Sequence, residues 1–161
     1  MVVPFLSGEP VAGVEEAMLK VVRKPESRFS LANFFRAQIY SAFVSLKIGM
    51  DILAREGVTI DSLMGHGGIF KTKGVAQQYL ADALKTPVAC MSTATEGGPW
   101  GMAVLAAYAK RMSDGAESRN LEDFLAGEVF KSAESETLVP TEEGMAGFEC
   151  YTQNFKEAIN A

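Results

Sequence analysis

Two glycine-rich turns, each between a short apolar run and a helix-period segment, restrict the fold of this chain more than any other feature. The order strand, glycine turn, helix occurs twice in succession within residues 59–107. It is made of the apolar run 60–64, the glycines 65, 67 and 68, the helical pattern 74–84, the apolar run 87–91, the glycine pair 97–98 and the helix that Pro99 opens. This order predicts an α/β fold.

The glycines themselves have two explanations, and the pattern leaves both open. Glycine is needed where the backbone takes a positive φ angle, and also where a ligand approaches the main chain closely. A strand that passes through glycines into a helix presents unpaired N–H groups and a positive dipole end, which suit a phosphate group. Each cluster is equally explained as a tight turn. GHGG is not GxGxxG, and the sequence contains no GxxxxGK[ST].

Composition argues against several classes of function. The chain has 161 residues, of which 48% are hydrophobic, as is typical of one globular domain with a sizeable core. The net charge is -5 and no block of Lys and Arg occurs, so nucleic-acid binding is disfavoured. Cys90 and Cys150 form no CxxC pattern, which suits a reducing cytoplasm and argues against a metal site. Charged and polar residues interrupt the apolar segment 31–53, which is therefore expected to be a core helix and not a membrane span.

Further elements are expected on either side of the glycine turns. Residues 29–55 are predicted to form the longest helix, with Ser30 as its N-cap and two apolar stripes that predict cover on two sides. The other expectations are a strand within 1–10, a short helix or an extended segment within 14–22, a short helix over 121–129 capped by Asn120, and a last helix capped by Thr141. Residues 131–140 are predicted to be a polar loop.

Several separated stretches resemble the C-terminal domain of the FGGY family of carbohydrate kinases, which includes xylulokinase, ribulokinase and glycerol kinase. Residues 64–68 (MGHGG) look like the glycine motif that this family uses for adenosine. The other similar stretches are 79–87 (YLADALKTP), 96–108 (EGGPWGMAVLAAY), the long-helix segment 32–49 with its arginine–alanine pair, the segment 5–9 (FLSGE) and the late segment 121–155. These stretches are spread from residue 5 to residue 155, so the resemblance extends over nearly the whole chain.

The resemblance implies an actin-like, ribonuclease-H-like ATPase fold, in which two α/β lobes close on ATP and a sugar. It implies that residues 1–161 are the later part of the C-terminal lobe, which carries the adenosine side. The family's phosphate loop, its aspartate base and its second glycine–threonine turn have no counterpart in this sequence. We therefore expect a partial lobe with no catalytic residue or metal ligand of its own. The intact enzyme would use ATP and Mg²⁺ to phosphorylate a ketopentose such as xylulose.

Four candidate adenosine-binding residues follow from the resemblance: Gly67, Gly68, Lys71 and Thr72. The two glycines match those beside the adenine and the ribose. Lys71 and Thr72 stand where related kinases place a polar side chain towards adenine. A solvent-exposed Lys71 and a Thr72 that caps the following helix are equally consistent with the sequence.

Three further residues with catalytic side-chain chemistry are expected to have no catalytic role. His66, the one histidine of the sequence, is expected to be structural or exposed. Asp82 lies within a predicted helix and is expected to be structural. Glu96 lies in the turn before a predicted helix, and this turn is expected to position the helix.

Two alternative functions remain open. The chain could be a non-catalytic structural or interaction module with the same fold, and a partial lobe that exposes apolar surface is compatible with a homodimer. A Rossmann-like dinucleotide-binding domain is the weaker alternative, because no acidic residue follows the GHGG turn at the expected distance in a second strand. Neither alternative involves nucleic acid or a membrane.

Overall fold

A computed structural model describes residues 1–92 and 97–161 of the chain. Its described residues form five strands and five helices. In chain order these are β1 (Val2–Phe5), β2 (Met18–Val21), α1 (Leu31–Arg55), β3 (Leu63–Gly65), α2 (Val75–Leu84), β4 (Val88–Met91), α3 (Gly97–Ser113), α4 (Leu121–Phe124), β5 (Ser135–Leu138) and α5 (Glu142–Ile159). A π-helical turn, Leu125–Val129, continues α4, and a 3-10 turn, Gly68–Lys71, follows β3. The alternation of strands and helices confirms the predicted α/β class.

The chain divides into two compact units. The first unit consists of residues 1–62, 78–87 and 139–161, and the second consists of residues 63–77 and 88–138. Helix α2 therefore contributes residues to both. Within the described residues, no helix combines the length and the apolar composition that crossing a membrane requires.

The first unit packs an antiparallel hairpin against two helices. Strands β1 and β2 pair with Val2 opposite Val21, and their inner side chains meet α1 and α5. The core of this unit contains Val3, Phe5, Val14, Val44, Phe155 and Ala158. The sequence allows either a helix or an extended segment over residues 14–22. The structure shows that part of this segment is strand β2.

Side-chain caps begin the two long helices, as the sequence predicts. The Ser30 hydroxyl accepts a hydrogen bond from the Asn33 N–H at 3.2 Å, and the Thr141 hydroxyl accepts one from the Gly144 N–H at 3.1 Å. Each cap satisfies one of the N–H groups that a helix start leaves without an intrahelical partner.

The apolar cover of α1 differs from the prediction of two buried sides. Tyr40, Phe43 and Val44 are buried, whereas Phe35 is 57% exposed and Leu46 is 47% exposed. One side of α1 supplies the core of the first unit, and the other side keeps its apolar residues at the surface. Helical spacing shows which residues share a face, but it does not show how many neighbours the helix has.

The second unit contains a mixed sheet in the order β3–β4–β5. Strands β3 and β4 are parallel, with Leu63 opposite Val88, and β5 lies antiparallel to β4. The prediction of a polar loop over 131–140 is wrong, because β5 forms there. The first three residues of β5 are exposed, so this strand buries little apolar surface. Main-chain pairing with β4 is what holds it in the sheet.

Candidate functional site

A cavity of about 360 Å³ lies in the second unit, beside the turn that follows β3 and at the carboxyl end of β4. Ligands of α/β proteins bind preferentially at the carboxyl ends of parallel strands, where loops and helix starts converge. The lining residues come from the 3-10 turn, the start of α2 and the paired ends of β4 and β5: Phe70, Lys71, Lys73, Gly74, Gln77, Cys90, Met91, Ser92, Glu134, Ser135 and Glu136.

The paired strand ends give the cavity a fixed base. Cys90 lies opposite Glu136 and Met91 lies opposite Ser135 in the antiparallel register. The Ser92 N–H donates to the Glu134 carbonyl at 3.0 Å and extends this pairing by one residue beyond β4. The two strands therefore carry lining side chains on one hydrogen-bonded ribbon.

Gln77 ties the start of α2 to both strands. Its side chain is 3% exposed, and Nε2 donates to the Val88 carbonyl and to the Glu136 carbonyl, each at 2.8 Å. Sequence reasoning missed this residue, although a signal was present. Gln77 lies on the same helical stripe as Leu80, Ala81 and Leu84, which predicts a buried position.

Charges of both signs surround the cavity. The Lys73 ammonium contacts the Glu136 carboxylate at 2.8 Å, and both side chains are well exposed. This hydrogen bond raises the pKa of Lys73 above its usual value. Lys71 and Glu134 add one further charge of each sign to the lining. The cavity thus combines two cations with two carboxylates around a partly apolar interior.

The apolar wall is packed closely beneath the first glycine turn. A Cβ on Gly65 would come within 2.8 Å of the Cys90 sulfur and 2.9 Å of the Phe70 ring, so only glycine fits at this position. Burial raises the pKa of the Cys90 thiol, which favours the neutral form over a reactive thiolate. Cys90 is therefore part of the wall and is not placed as a nucleophile.

The two candidate glycines differ in what the backbone requires of them. Gly67 has φ 110° and ψ 176°, a conformation that is almost restricted to glycine, and its carbonyl accepts from the Phe70 N–H at 3.1 Å. Gly68 has no positive φ, and no described atom lies within 4 Å of its Cβ position. The turn explains Gly67, but it gives no reason for glycine at position 68.

Among the four candidate residues, only Lys71 lines the cavity. Thr72 is extended, and its main-chain carbonyl accepts from the Val75 N–H at 3.3 Å. A main-chain turn therefore begins α2, and the side-chain cap considered for Thr72 is not formed with the described residues. Gly67, Gly68 and Thr72 adjoin the lining through the chain but do not contribute to it.

Of the three residues expected to lack a catalytic role, His66 and Asp82 lie in different surroundings. His66 is exposed, and its Cβ lies 3.0 Å from the Cβ position of Gly97, the first residue of α3. Asp82, in the first unit, is 4% exposed, and Oδ1 accepts from the Thr141 N–H at 2.7 Å and from the Gln78 amide at 3.0 Å. Glu96 lies outside the described residues. In residues 1–92 and 97–161, no group of three His, Cys, Asp or Glu side chains could hold a metal ion.

Comparison with known families places this chain in one class of proteins. The model of the FGGY family of carbohydrate kinases, C-terminal domain, matches residues 1–110. The chain belongs to the FGGY family of carbohydrate kinases. This finding confirms the family that the glycine turn, the leucine–alanine–aspartate run and the long helix indicate.

Two relatives of this chain are xylulose kinases. The chain is 27% identical over 108 residues to the xylulose kinase of Haemophilus influenzae, an alignment that covers 67% of this chain and 22% of that protein. The crystal structure of ligand-bound xylulose kinase from Lactobacillus acidophilus matches with a TM-score of 0.63 at 16% identity, over 99% of this chain and 30% of that one. The fold is thus that of the actin-like FGGY kinases, and the chain spans less than a third of either relative's length.

Proposed function

We propose that this chain forms part of the adenosine-binding lobe of an ATP-dependent sugar kinase. The observation that carries the proposal is the cavity of about 360 Å³ at the carboxyl end of β4, beside the turn that begins at Gly67. Its volume falls within the range of about 300–1,000 Å³ that is typical of small-molecule sites. The remaining parts of the active site would come from segments that this sequence does not contain.

The lining suits a purine base. Phe70, Cys90 and Met91 offer apolar surface to the faces of a ring, and the Ser92 hydroxyl and the Glu134 carboxylate offer polar contacts at its edge. Lys71 supplies a cation beside the same cavity, where a phosphate group would be favoured. Gly68 precedes the lining residue Phe70 by two positions, and a nucleotide that extends from the cavity along this turn would meet the main chain there.

The contribution of this lobe to catalysis would be positioning. Phosphoryl transfer depends chiefly on the alignment of the reacting groups and on neutralisation of charge, with Mg²⁺ supplying much of that neutralisation when bound. The described residues offer no cluster of three metal-binding side chains, so the metal ligands and the base on the sugar would belong to other segments. Residues 1–161 alone are expected to release no ADP when a sugar is added.

The proposed acceptor is a ketopentose such as xylulose, since both compared relatives are named as xylulose kinases. None of the residues assigned to the cavity would contact the sugar, so they do not distinguish one ketopentose from another. Ribulose is therefore the second proposed acceptor. A cytoplasmic location is part of the same proposal, and it agrees with Cys90 and Cys150 being free thiols.

Calorimetric titration with ADP tests the proposal. The unmodified chain should bind ADP saturably, and Ser92→Trp should abolish the signal because the indole would occupy the cavity. Ser113→Trp is the matched control, since it places the same ring at the exposed end of α3. Equal ADP affinity of the Ser92→Trp and Ser113→Trp variants would exclude this cavity. Saturable binding of NADH but not of ADP would favour the dinucleotide alternative.

The exposed surface of α3 favours a second candidate function, a non-catalytic module that associates with a second copy of itself. Helix α3 buries none of its described residues, and Met102 and Leu105 are 69% and 47% exposed. Apolar side chains on one helix face commonly mark a contact surface. Sedimentation equilibrium would show a dimer that the double variant Met102→Glu, Leu105→Glu converts to a monomer. A chain that is monomeric throughout and binds ADP would exclude this candidate.

A further inference from the structure

Lys47, in the middle of α1, is buried without an evident structural reason. It is 6% exposed, although lysine side chains are almost never fully buried unless they are paired. Its ammonium contacts Asp51, one turn later on the same helix, and the Asp51 side chain is 38% exposed. Such a pair forms equally well on a solvated helix surface and contributes little to stability there. The pair therefore does not explain why Lys47 lies inside.

Lys47 lines a second cavity, of about 260 Å³, within the first unit. The last turns of α1, the segment after it and the end of α2 surround this space. The lining combines apolar side chains, among them Met50, Leu53 and Leu84, with the charged side chains of Lys47, Asp51 and Lys85. This combination is typical of sites for small amphipathic molecules, which need apolar contact and one fixed polar group.

Two lysines and one carboxylate, Asp51, line the cavity, so the net charge of the lining favours an anion. Lys47 has three N–H donors, and Asp51 is its one hydrogen-bond partner among the described residues, so donors remain for a ligand. Lys85 adds a second ammonium, which also contacts Glu149 at 3.1 Å outside the cavity lining. Lys85 has φ 55°, the only positive φ on a described residue other than glycine. The backbone thus holds Lys85 in a conformation that costs free energy at the edge of this cavity.

We propose that this second cavity binds a small monocarboxylate with a short apolar body, held through its carboxylate by Lys47. The volume is sufficient, because an apolar cavity of about 150 Å³ in another protein accepts benzene. A phosphate group fits less well, since it needs several charge-assisted donors, and of the two lysines among the described lining residues only Lys47 is buried. The site is independent of the nucleotide cavity, which lies in the other unit, and nothing in the proposed kinase function requires it.

Titration of the ¹⁵N-labelled 161-residue chain with hexanoate tests this assignment. Amide shifts should saturate and should be confined to the lining, including Met50, Leu53 and Val58. Hexylamine is the matched probe, because it has the same apolar body and the opposite charge. It should produce no saturable shift at these amides.

Two variants separate the charge from the space. Lys47→Met removes the ammonium and keeps an unbranched apolar side chain. The Asp51 carboxylate that it leaves unpaired is 38% exposed and stays in contact with water, so the chain should remain folded while hexanoate affinity falls by about tenfold or more. Ala54→Phe keeps Lys47 and fills the cavity from a position that is otherwise exposed, so it should also abolish binding. Thermal unfolding of both variants checks that they remain folded.

Three results would overturn the assignment. The first is an absence of saturable shifts up to about 20 mM hexanoate in the unmodified chain. The second is an unchanged hexanoate affinity in folded Lys47→Met, which would leave no role for the ammonium. The third is binding of hexylamine as tight as that of hexanoate, which would make the cavity a non-selective apolar space.

Discussion

At the scale of single residues, the glycines of this chain are required for different physical reasons. Gly67 provides a backbone conformation that other residues rarely adopt. Neither Gly65 nor Gly144 has space for a Cβ. The Cys90 sulfur lies in that space at Gly65, and the Asp82 carboxylate lies in it at Gly144. Gly68 meets neither condition. Residue type alone does not distinguish these cases, since every glycine reads the same in a sequence.

The contact of Gly144 with Asp82 predicts a large effect of one methyl group. In Gly144→Ala the new Cβ would overlap the Asp82 carboxylate, which is buried and accepts hydrogen bonds from Thr141. Displacing a buried hydrogen-bonded carboxylate should lower the free energy of unfolding by about 2 kcal/mol or more. Urea unfolding measures this difference.

Gly147, one turn later on α5, is the matched control. Among the described atoms outside its chain neighbours and its own helix backbone, only the Tyr40 hydroxyl lies within 4 Å of its Cβ position, at 3.9 Å. Because alanine favours a helix over glycine by about 1 kcal/mol, Gly147→Ala should be neutral or stabilising. Equal losses in the two alanine variants would show that the Asp82 contact is not responsible.

Gly68 separates the turn explanation from the ligand explanation. Gly68→Ala should change the free energy of unfolding by less than about 0.5 kcal/mol, since its φ angle is not positive and no atom of the described residues lies within 4 Å of the new methyl group. It should nevertheless weaken ADP binding by about tenfold, because the methyl group would keep the nucleotide away from the main chain. Calorimetry and urea unfolding give the two quantities.

Gly67→Ala is expected to behave differently, with a loss of about 1–3 kcal/mol in the free energy of unfolding, because it strains the turn. A stable Gly68→Ala variant with unchanged ADP affinity would remove the ligand explanation for position 68.

The carboxylate of Glu117 is expected to make the free energy of unfolding depend on pH in the acid range. Hydrogen bonds from Arg119 lower the pKa of Glu117 from 4.5 to about 2. Because the folded-state value lies below the unfolded one, this stabilisation is complete above pH 4.5 and is lost as the pH falls towards 2. Urea midpoints of the unmodified chain should therefore fall more steeply over this range than those of Glu117→Gln. Glu122→Gln removes the same charge from α4 and should keep the steeper dependence.

At the scale of elements, local signals predicted the helices and their starts. Ser30 and Thr141 cap α1 and α5, and the buried residues Phe148, Thr152 and Phe155 of α5 lie at helical spacing. Such signals are contained in a few neighbouring residues, so one sequence is enough to read them. Strand β5 was missed because its pattern is polar and its partners lie more than forty residues away in β4.

The cavity was predictable only in part for the same reason. The first glycine turn lies beside the cavity, and Lys71, one of the four candidates, lines it. Gln77, Cys90 and Glu136 converge from α2, β4 and β5, and this convergence depends on a strand pairing that no local pattern shows. The role of the four candidate residues in nucleotide binding stays a prediction.

Gln77 should control the stability of the β4–β5 pair. Gln77→Ala would leave the Val88 and Glu136 carbonyls without the amide donor that each has at 2.8 Å, in a buried setting. The expected loss is about 2–3 kcal/mol in the free energy of unfolding, with faster hydrogen exchange in β5. Gln78→Ala, at a half-buried position, should cost less and should not affect exchange in β5. Equal exchange rates in the two variants would contradict the assigned role of Gln77.

At the scale of the whole molecule, family membership and local chemistry support the same interpretation from separate observations. The family match rests on residues 1–110, whereas part of the cavity lining, Glu134 to Glu136, lies beyond that match. The compared xylulose kinases are several times longer than the matched part. Nucleotide binding by this chain and phosphorylation by an intact kinase are therefore two separate claims, and the first can be tested alone.

A map of amide chemical shifts of the ¹⁵N-labelled chain during titration with ADP tests directly whether the cavity beside Gly67 binds adenosine. The adenosine assignment predicts saturable shifts at Gly67, Gly68, Lys71 and Thr72 and at the cavity residues Met91 and Ser92, with no comparable shifts in the first unit. Absence of shifts up to about 10 mM ADP, or saturable shifts confined to the first unit, would contradict it.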